Sequence, residues 1–295
     1  MKRAVRNLIL FFFCLITADQ AWGLVFNYLK EHSNTGIYVD ATYIKDSVNA
    51  DIIVLGSSRS LRHYNPFILE DSLGLKCEVC GLNSNGIITM YDRFSQICNR
   101  YTPKIIIYDV MPEFDVQKED HSKYVPQLRL GGDQTARQLI SEIDPKDKIK
   151  SLSQMYCHNS NAFSMISDFL SLPQSRNNGY QPYKDSIKYA TKSTKPIYSP
   201  DGFKMMLFRK MMRMCKAKGI RIIFFVSPAY GNNYYYSSRP VEEVCKQEGV
   251  PFINDNFCAI SKSRDNFHDS VHLNEAGSTK YTNMVIRQIK AIYNR

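Results

Sequence analysis

The chain has 295 residues, 44% of them hydrophobic and 12% aromatic, with 14 Gly and 12 Pro. This composition supports a packed core and excludes collagen-like, repeat-built and disordered chains, and the length suits one large α/β domain or two smaller ones. Lys plus Arg outnumber Asp plus Glu by 38 to 28, and the net charge of +10 favours an anionic neighbour: a membrane surface, an acidic glycan or a nucleic acid.

At the N-terminus Lys2, Arg3 and Arg6 precede an apolar run read from Leu8 to Phe26. Its 19 residues make a helix of roughly 28 Å, close to the ~30 Å of a bilayer's hydrocarbon core. Asp19 interrupts the run, and a carboxylate there costs a few kcal/mol near the midplane and less toward an end. The sequence predicts a membrane anchor or signal segment over residues 1–29, and Ala21-Trp22-Gly23 keeps a cleaved signal, and hence a secreted protein, open. The basic flank places the rest of the chain outside the cytoplasm, so a bacterial inner-membrane protein facing the periplasm or the outside is expected. Residues 30–50 read as a polar, irregular spacer.

From residue 51 strands and helices alternate. Asp51-Ile52-Ile53-Val54-Leu55 ends at Gly56, and similar runs recur at 104–109 and 221–226, with a weaker one at 251–254. Continuous apolar runs of this length are how strands buried on both faces of a parallel sheet read. Helices are predicted over 203–218 and 241–249, each closed by a glycine, and over 274–292. The fold expected for 51–295 is therefore a three-layer α/β/α domain with a parallel central sheet and ligands at the carboxyl ends of the strands. Residues 113–200 break the alternation and are expected to be a mainly helical insertion, either a cap over the strand ends or a solvated packing element.

Eight cysteines accompany this pattern, and the chain is too long to need a disulfide scaffold. Cys77 and Cys80 lie in a strand-like stretch whose i and i+3 positions face opposite sides, so buried thiols are expected rather than a redox or zinc pair. The basic series Lys204, Arg209, Lys210, Arg213, Lys216 and Lys218 reads as a helix's wet face. Without a nucleic-acid-binding motif, no DNA or RNA partner is expected.

Two segments carry chemistry. Gly56-Ser57-Ser58-Arg59-Ser60 follows the first strand, and Asp269-Ser270-Val271-His272 precedes the last helix. A hydroxyl becomes a nucleophile when an imidazole takes its proton, and a carboxylate fixes that imidazole's tautomer and orientation. Asp269 and His272, three apart, can meet within one tight helical turn, and Gly56 permits a sharp turn that exposes the Ser58 hydroxyl. Ser58 could instead be only a helix N-cap. Arg59, Arg62 and His63 read as solvent-facing or as contacts for an anionic substrate group, with Arg59 the candidate substrate-binding residue. Tyr230 and Tyr234 to Tyr236 read as a packed aromatic loop or a platform for sugar rings. His268 and His272 have a metal-pair spacing without a third ligand, so neither a metal nor another cofactor is expected.

Gly-x-Ser after the first core strand, together with DxxH before the last helix, resembles the SGNH hydrolase (GDSL-like esterase/lipase) superfamily over residues 51–112 and 201–292, and in particular its membrane-anchored members in bacterial envelopes. The resemblance implies Ser58 as nucleophile, with Ser57 in place of the usual aspartate, His272 as acid/base and Asp269 as its orienter. It also implies an oxyanion hole from the Ser58 N–H, Gly86 and an asparagine. The segment after 109, Val110-Met111-Pro112-Glu113, lacks the third-block Gly-x-Asn-Asp, so Asn85 is the candidate for the missing amide. The implied activity is an esterase or O-acyltransferase acting on acyl groups, such as acetyl, of an envelope polysaccharide. The rival is a non-catalytic SGNH-like module that binds glycan or partners an envelope acylation system.

Overall fold

The structure is a computed structural model that describes residues 2–158, 161–186, 197–231 and 235–293. In chain order the first elements are α1 (Lys2–Glu31), α2 (Gly36–Asp46), β1 (Ile52–Gly56), α3 (Ser58–His63), α4 (Pro66–Leu73), β2 (Cys77–Val79), α5 (Ile87–Arg100) and β3 (Ile105–Asp109). Short helices follow: α6 (Pro112–Asp115), α7 (Val125–Gly131), α8 (Gln134–Ile143), α9 (Asp147–Lys150), α10 (Gln154–His158) and α11 (Ala162–Leu170). The chain closes with α12 (Gly202–Lys218), β4 (Arg221–Val226), α13 (Tyr235–Glu248), β5 (Phe252–Asn254) and α14 (Glu275–Tyr293). These elements form two compact units, a helical one of Met1–Ser47 with His121–Ser175, and a sheet unit of Val48–Asp120 with Arg176–Arg295.

In the sheet unit five parallel strands run in the order β2-β1-β3-β4-β5. The β-branched runs of β1 and β3 occupy its middle and are buried at every residue. On one face Ile52, Val54, Ile105, Ile107, Ile223 and Phe225 pack with Leu61 of α3, Leu69 of α4 and Tyr281, Val285 and Ile289 of α14. Side chains pointing the other way meet α12, where the rings of Tyr108, Phe224 and Phe208 lie 5.3–5.6 Å apart. Each such side chain contributes about 1.5–3 kcal/mol by leaving water. The result is the expected three-layer α/β/α architecture. Strand order reverses between β1 and β3, and the crevice at such a reversal lies outside the carboxyl ends of those two strands.

Local signals set the helix ends. Asp201 accepts from the N–H groups of Phe203 and Lys204 to start α12, and Gly219, at φ +70°, ends it. Asn274 accepts from the Gly277 N–H to start α14. α13 begins at Tyr235, upstream of Pro240, rather than at 241. The basic face expected on α12 is not wholly wet, because Lys204 is buried and pairs with Glu119. Cys77, Cys80, Cys98, Cys215 and Cys245 are buried, and all eight cysteines are free thiols.

The helical unit departs most from the sequence reading. Residues 36–46, expected to be irregular, form α2, whose Tyr38 and Ala41 pack with Phe26, Leu130 and Met165. That packing is tertiary and leaves little trace in a short polar segment. Within the insertion, read as mainly helical, the stretch 145–170 is three short helices, and no strand is assigned among the described residues between 113 and 186. In α1 the side chains from Val5 to Ile16 are largely exposed, whereas Gly23 and Phe26 are buried within the unit.

Candidate active site

Ser58 is the first residue of α3, directly after β1. The turn requires glycine at position 56: its φ is +138°, and a Cβ there would lie 2.6 Å from the carbonyl oxygen of Asp109. The N-cap of α3 is Ser57, and Ser58 is half-buried at the helix start. Ser58 Oγ lies 2.8 Å from His272 Nε2, and His272 Nδ1 lies 2.8 Å from Asp269 Oδ2. The structure therefore brings together three side chains drawn from opposite ends of the chain.

The Asp-x-x-His spacing does its work without the helical turn that the sequence reading assumed. Asp269 Oδ1 accepts from the N–H groups of Val271 and His272, closing a tight Asx-type turn. A bond from the His268 N–H to the His272 carbonyl seals the loop. Leu273 then plunges fully into the core, which fixes His272 at the rim. Partial burial pushes the Asp269 carboxyl up, but the hydrogen bond and charge of His272 and the two backbone N–H groups outweigh it and hold the carboxyl at about 2. Ionised Asp269 can only accept, so Nδ1 of His272 carries the proton and Nε2 presents its lone pair to the Ser58 hydroxyl.

Beneath this trio lies a polar network that the sequence reading missed. Arg59 is fully buried; its guanidinium pairs with Asp109 and donates to the carbonyls of Ser227 and Val110. Ser227 Oγ donates to Asp109 Oδ2 at 2.9 Å. His63, also fully buried, accepts the Leu273 N–H on Nε2 at 2.9 Å, so its Nδ1 carries the proton and donates to Ser227 Oγ at 2.8 Å. Burial and the charges of Arg59, His272 and Arg62 hold the His63 imidazole well below its ordinary range, hence neutral. Burial lifts the Asp109 carboxyl, and Arg59 and Ser227 draw it only partly back. The chain Asp109–Ser227–His63–Leu273 thus ties the carboxyl ends of β3 and β4 to the residue after His272.

These observations correct the reading of the basic residues after Ser58. Arg59 is committed to Asp109 and backbone carbonyls and is not available to a substrate. Arg62 and His63, expected to face solvent or an anionic group, are buried. Arg62 Nη1 donates to the Ser58 carbonyl and to Asn83 Oδ1, and its guanidinium lies 4.5 Å from the centre of the Tyr183 ring. Tyr183 in turn stacks on His268 at 3.8 Å and stands edge-on to His272 at 5.7 Å, which makes an aromatic wall beside the imidazole. His268 is thereby engaged as a stacking partner.

Two of the residues read as oxyanion donors, Gly86 and Asn85, lie in the loop between β2 and α5. Gly86 is the N-cap of α5, pressed against the carbonyl of Phe114, and the Asn85 amide donates to the Asn83 carbonyl. The Leu82 N–H bonds to the Gly56 carbonyl, and Arg62 reaches Asn83, so this loop is tied to the turn carrying Ser58. After β3, Asp115 occupies the region of the absent third block. Burial raises its carboxyl to about 6 against donations from Tyr108 and the N–H groups of Met111 and Ile87. Of the aromatic loop, Tyr230 packs beside Phe267, Tyr234 lies outside the described residues, and so do the side chains of Tyr235 and Tyr236. Among the described residues no cluster of three or more His, Cys, Asp or Glu is placed to hold a metal ion. A cavity of about 810 Å³ lies in the helical unit and carries none of these residues, so the site is defined by side-chain geometry rather than by the size of a pocket.

No protein-family model and no curated protein matches the sequence. Solved structures do. A candidate acylhydrolase of Bacteroides fragilis is 11% identical, with 88% of this chain and 98% of that one covered at a TM-score of 0.46. A candidate SGNH hydrolase from Slackia heliotrinireducens is 9% identical, with 82% and 100% covered at 0.42. An acetyl xylan esterase is 10% identical, with 82% and 99% covered at 0.42. At these values the likeness to SGNH hydrolases is a general one and carries no assignment of chemistry, which rests on the side chains of this chain.

Proposed function

We propose that the sheet unit is a serine esterase or O-acyltransferase that carries its acyl group on Ser58. His272 Nε2 takes the hydroxyl proton as Ser58 Oγ bonds to the ester carbonyl carbon, and Asp269 stabilises the imidazolium formed. The imidazolium then gives its proton to the leaving alcohol oxygen as the ester C–O bond breaks, leaving an acyl-Ser58. Water, or the hydroxyl of an acceptor, next yields its proton to His272 and attacks the same carbonyl, and Ser58 leaves with that proton. Hydrolysis and transfer differ only in this second nucleophile.

The negative charge on the carbonyl oxygen needs donors. The Ser58 N–H, in the first turn of α3, has no acceptor within its helix. The Gly86 N–H and the Asn85 amide are the other candidates, the latter only after it lets go of the Asn83 carbonyl. A missing donor lowers the rate by about 10²–10³, so turnover is expected to be slow beside that of a site with all three. The substrate class we propose is an acyl ester of an envelope polysaccharide, reached by a chain anchored through α1 with Lys2, Arg3 and Arg6 on the cytoplasmic side.

The observation that carries this reading is the pair of 2.8 Å contacts joining Ser58, His272 and Asp269. Fluorophosphonate labelling of the full chain in detergent tests it. Wild type is expected to be labelled, Ser58→Ala not at all, and His272→Ala weakly. A folded wild type that resists the probe would favour the non-catalytic binding module, a reading to which the missing third-block asparagine lends support.

A further inference from the structure

The helical unit exposes an apolar surface that the proposed chemistry does not use. Ile149, Leu152, Phe163, Leu170 and Leu172 are 75%, 73%, 87%, 74% and 84% exposed, and Ile166 is 46% exposed. Phe163, Ile166 and Leu170 stand at i, i+3 and i+7, a stripe along one side of α11, while Met165 on another side packs against Phe26 of α1. A surface of this kind is unstable in water unless something apolar covers it.

The contacts of Asp19 fix the height of this surface along α1. Its carboxylate, placed awkwardly in an apolar helix, accepts from Ser153 Oγ and from the N–H groups of Gln154 and Met155, all at 2.8–3.0 Å, and so caps the N-terminus of α10. Gln20 Nε2 donates to the Leu152 carbonyl at 3.1 Å. The Gln154 side chain also packs directly on Gly23, where an added Cβ would collide with its Cγ. The start of α10, with Leu152 beside it, is therefore fixed level with residues 19–20 of α1. That level is six or seven residues short of Phe26, the end of the apolar run, or roughly 9–10.5 Å along the helix. Interfacial helices bury their apolar faces to about 5–10 Å. Lys146 and Lys148 lie beside Ile149 and Leu152 in this stretch, while Lys150 pairs with Asp144; lysines so placed can extend their heads toward lipid phosphates while their stems lie on apolar surface.

We propose that the helical unit is seated in the lipid bilayer. α1 spans the membrane, and Ile149, Leu152, Phe163, Ile166 and Leu170 enter the acyl–headgroup boundary of the leaflet crossed by the second half of α1. Asp19 is then a structural clasp between the anchor and α10 rather than an exposed charge in lipid. The proposal rests on reading α1 as an uncleaved anchor.

The chain's single tryptophan, Trp22, makes the test direct. Full-length protein is reconstituted in phosphatidylcholine vesicles with or without bromine on the acyl chains, and tryptophan emission is compared. In a Trp22→Phe background, Leu152→Trp and Phe163→Trp each place the fluorophore at an already exposed position, and Gln138→Trp places it on the polar face of α8. The expected result is that brominated lipid quenches Leu152→Trp and Phe163→Trp to an extent comparable with wild-type Trp22 and leaves Gln138→Trp bright. If Trp22 is quenched while Leu152→Trp and Phe163→Trp are no dimmer than Gln138→Trp, the anchor stands and the membrane seat is wrong. If Trp22 itself is not quenched, the anchor reading fails and the seat with it.

Discussion

The two units handle misplaced groups in opposite ways. The sheet unit buries polarity: Arg59, His63, Asp109 and Ser227 are all fully inaccessible yet hydrogen-bonded to one another, directly under the loop that holds His272. The helical unit exposes apolarity, with Phe163 and Leu172 more than four-fifths in the open. A buried charge is tolerated only when paired, so the first arrangement fixes one geometry. A large exposed apolar surface marks a place where something else docks, which we propose to be the bilayer. On the readings proposed above, one unit is organised around positioning a proton and the other around positioning the molecule.

The contrast can be broken from the inside outward. The largest effect is expected on chemistry, where Ser58→Ala should lower ester hydrolysis by about 10⁴–10⁶, read as turnover of a p-nitrophenyl ester, with no change in circular dichroism. Next comes Asp109→Ala, which removes the carboxylate paired with buried Arg59 and should lower local stability by about 3–5 kcal/mol, seen as faster amide exchange in β3 and β4. The comparable change in the helical unit, Asp147→Ala, removes the partner of Arg129, whose side chain keeps some access to water, and should cost less around α9. Equal effects at the two positions would erase the distinction between the units.

His63→Ala should act through the Leu273 N–H that it leaves unpaired and the donor that Ser227 Oγ loses, at about 1–3 kcal/mol of local stability. Because Leu273 follows His272, kcat should fall roughly tenfold for each ~1.4 kcal/mol by which the imidazole's placement is impaired, while KM holds. An unchanged kcat with lowered stability would make the network merely structural. The smallest effect concerns pH. The Asp269 carboxyl sits at about 2 in the folded chain against an ordinary 3.8, so its bonds are fully stabilising above about pH 4 and fade as pH falls toward 2. The gap in melting temperature between wild type and Asp269→Asn should therefore stay constant from neutral pH down to about 4 and narrow at about pH 3. A gap that widens there would contradict the assignment.

What could be read from the sequence follows the same division. β1, β3 and β4 announce themselves because strands covered on both faces must be continuously apolar. β2 has three residues at a sheet edge and was visible only as a strand-like stretch without a place in the sheet. Ser58, Asp269 and His272 stood out by position, next to a strand end and a helix start, although the Asx turn that joins the last two was mistaken for helix. Arg59, Arg62 and His63 were misread because basic residues near a short helix's start usually face water, and only the packing of Asp109 and Ser227 against them decides otherwise. One cue existed: Asp109 pairs with Gly56 at the carboxyl ends of adjacent strands, where a lone buried carboxylate demands a cation. Tyr183 lies within the insertion of residues 113–200 and gave no sign of its place beside His272. α2 and the exposed stripe of α11 depend on neighbours contributed by remote segments, which periodicity in a short window does not reveal.

The central claim is that Ser58 carries an acyl group. Wild-type protein is mixed with a p-nitrophenyl ester, quenched in acid and digested, and the modified peptide is located by mass spectrometry. The account predicts an acyl adduct on Ser58 that disappears in Ser58→Ala. Turnover with the acyl group on a different residue, or with no adduct while the ester is consumed just as fast by Ser58→Ala, would contradict it.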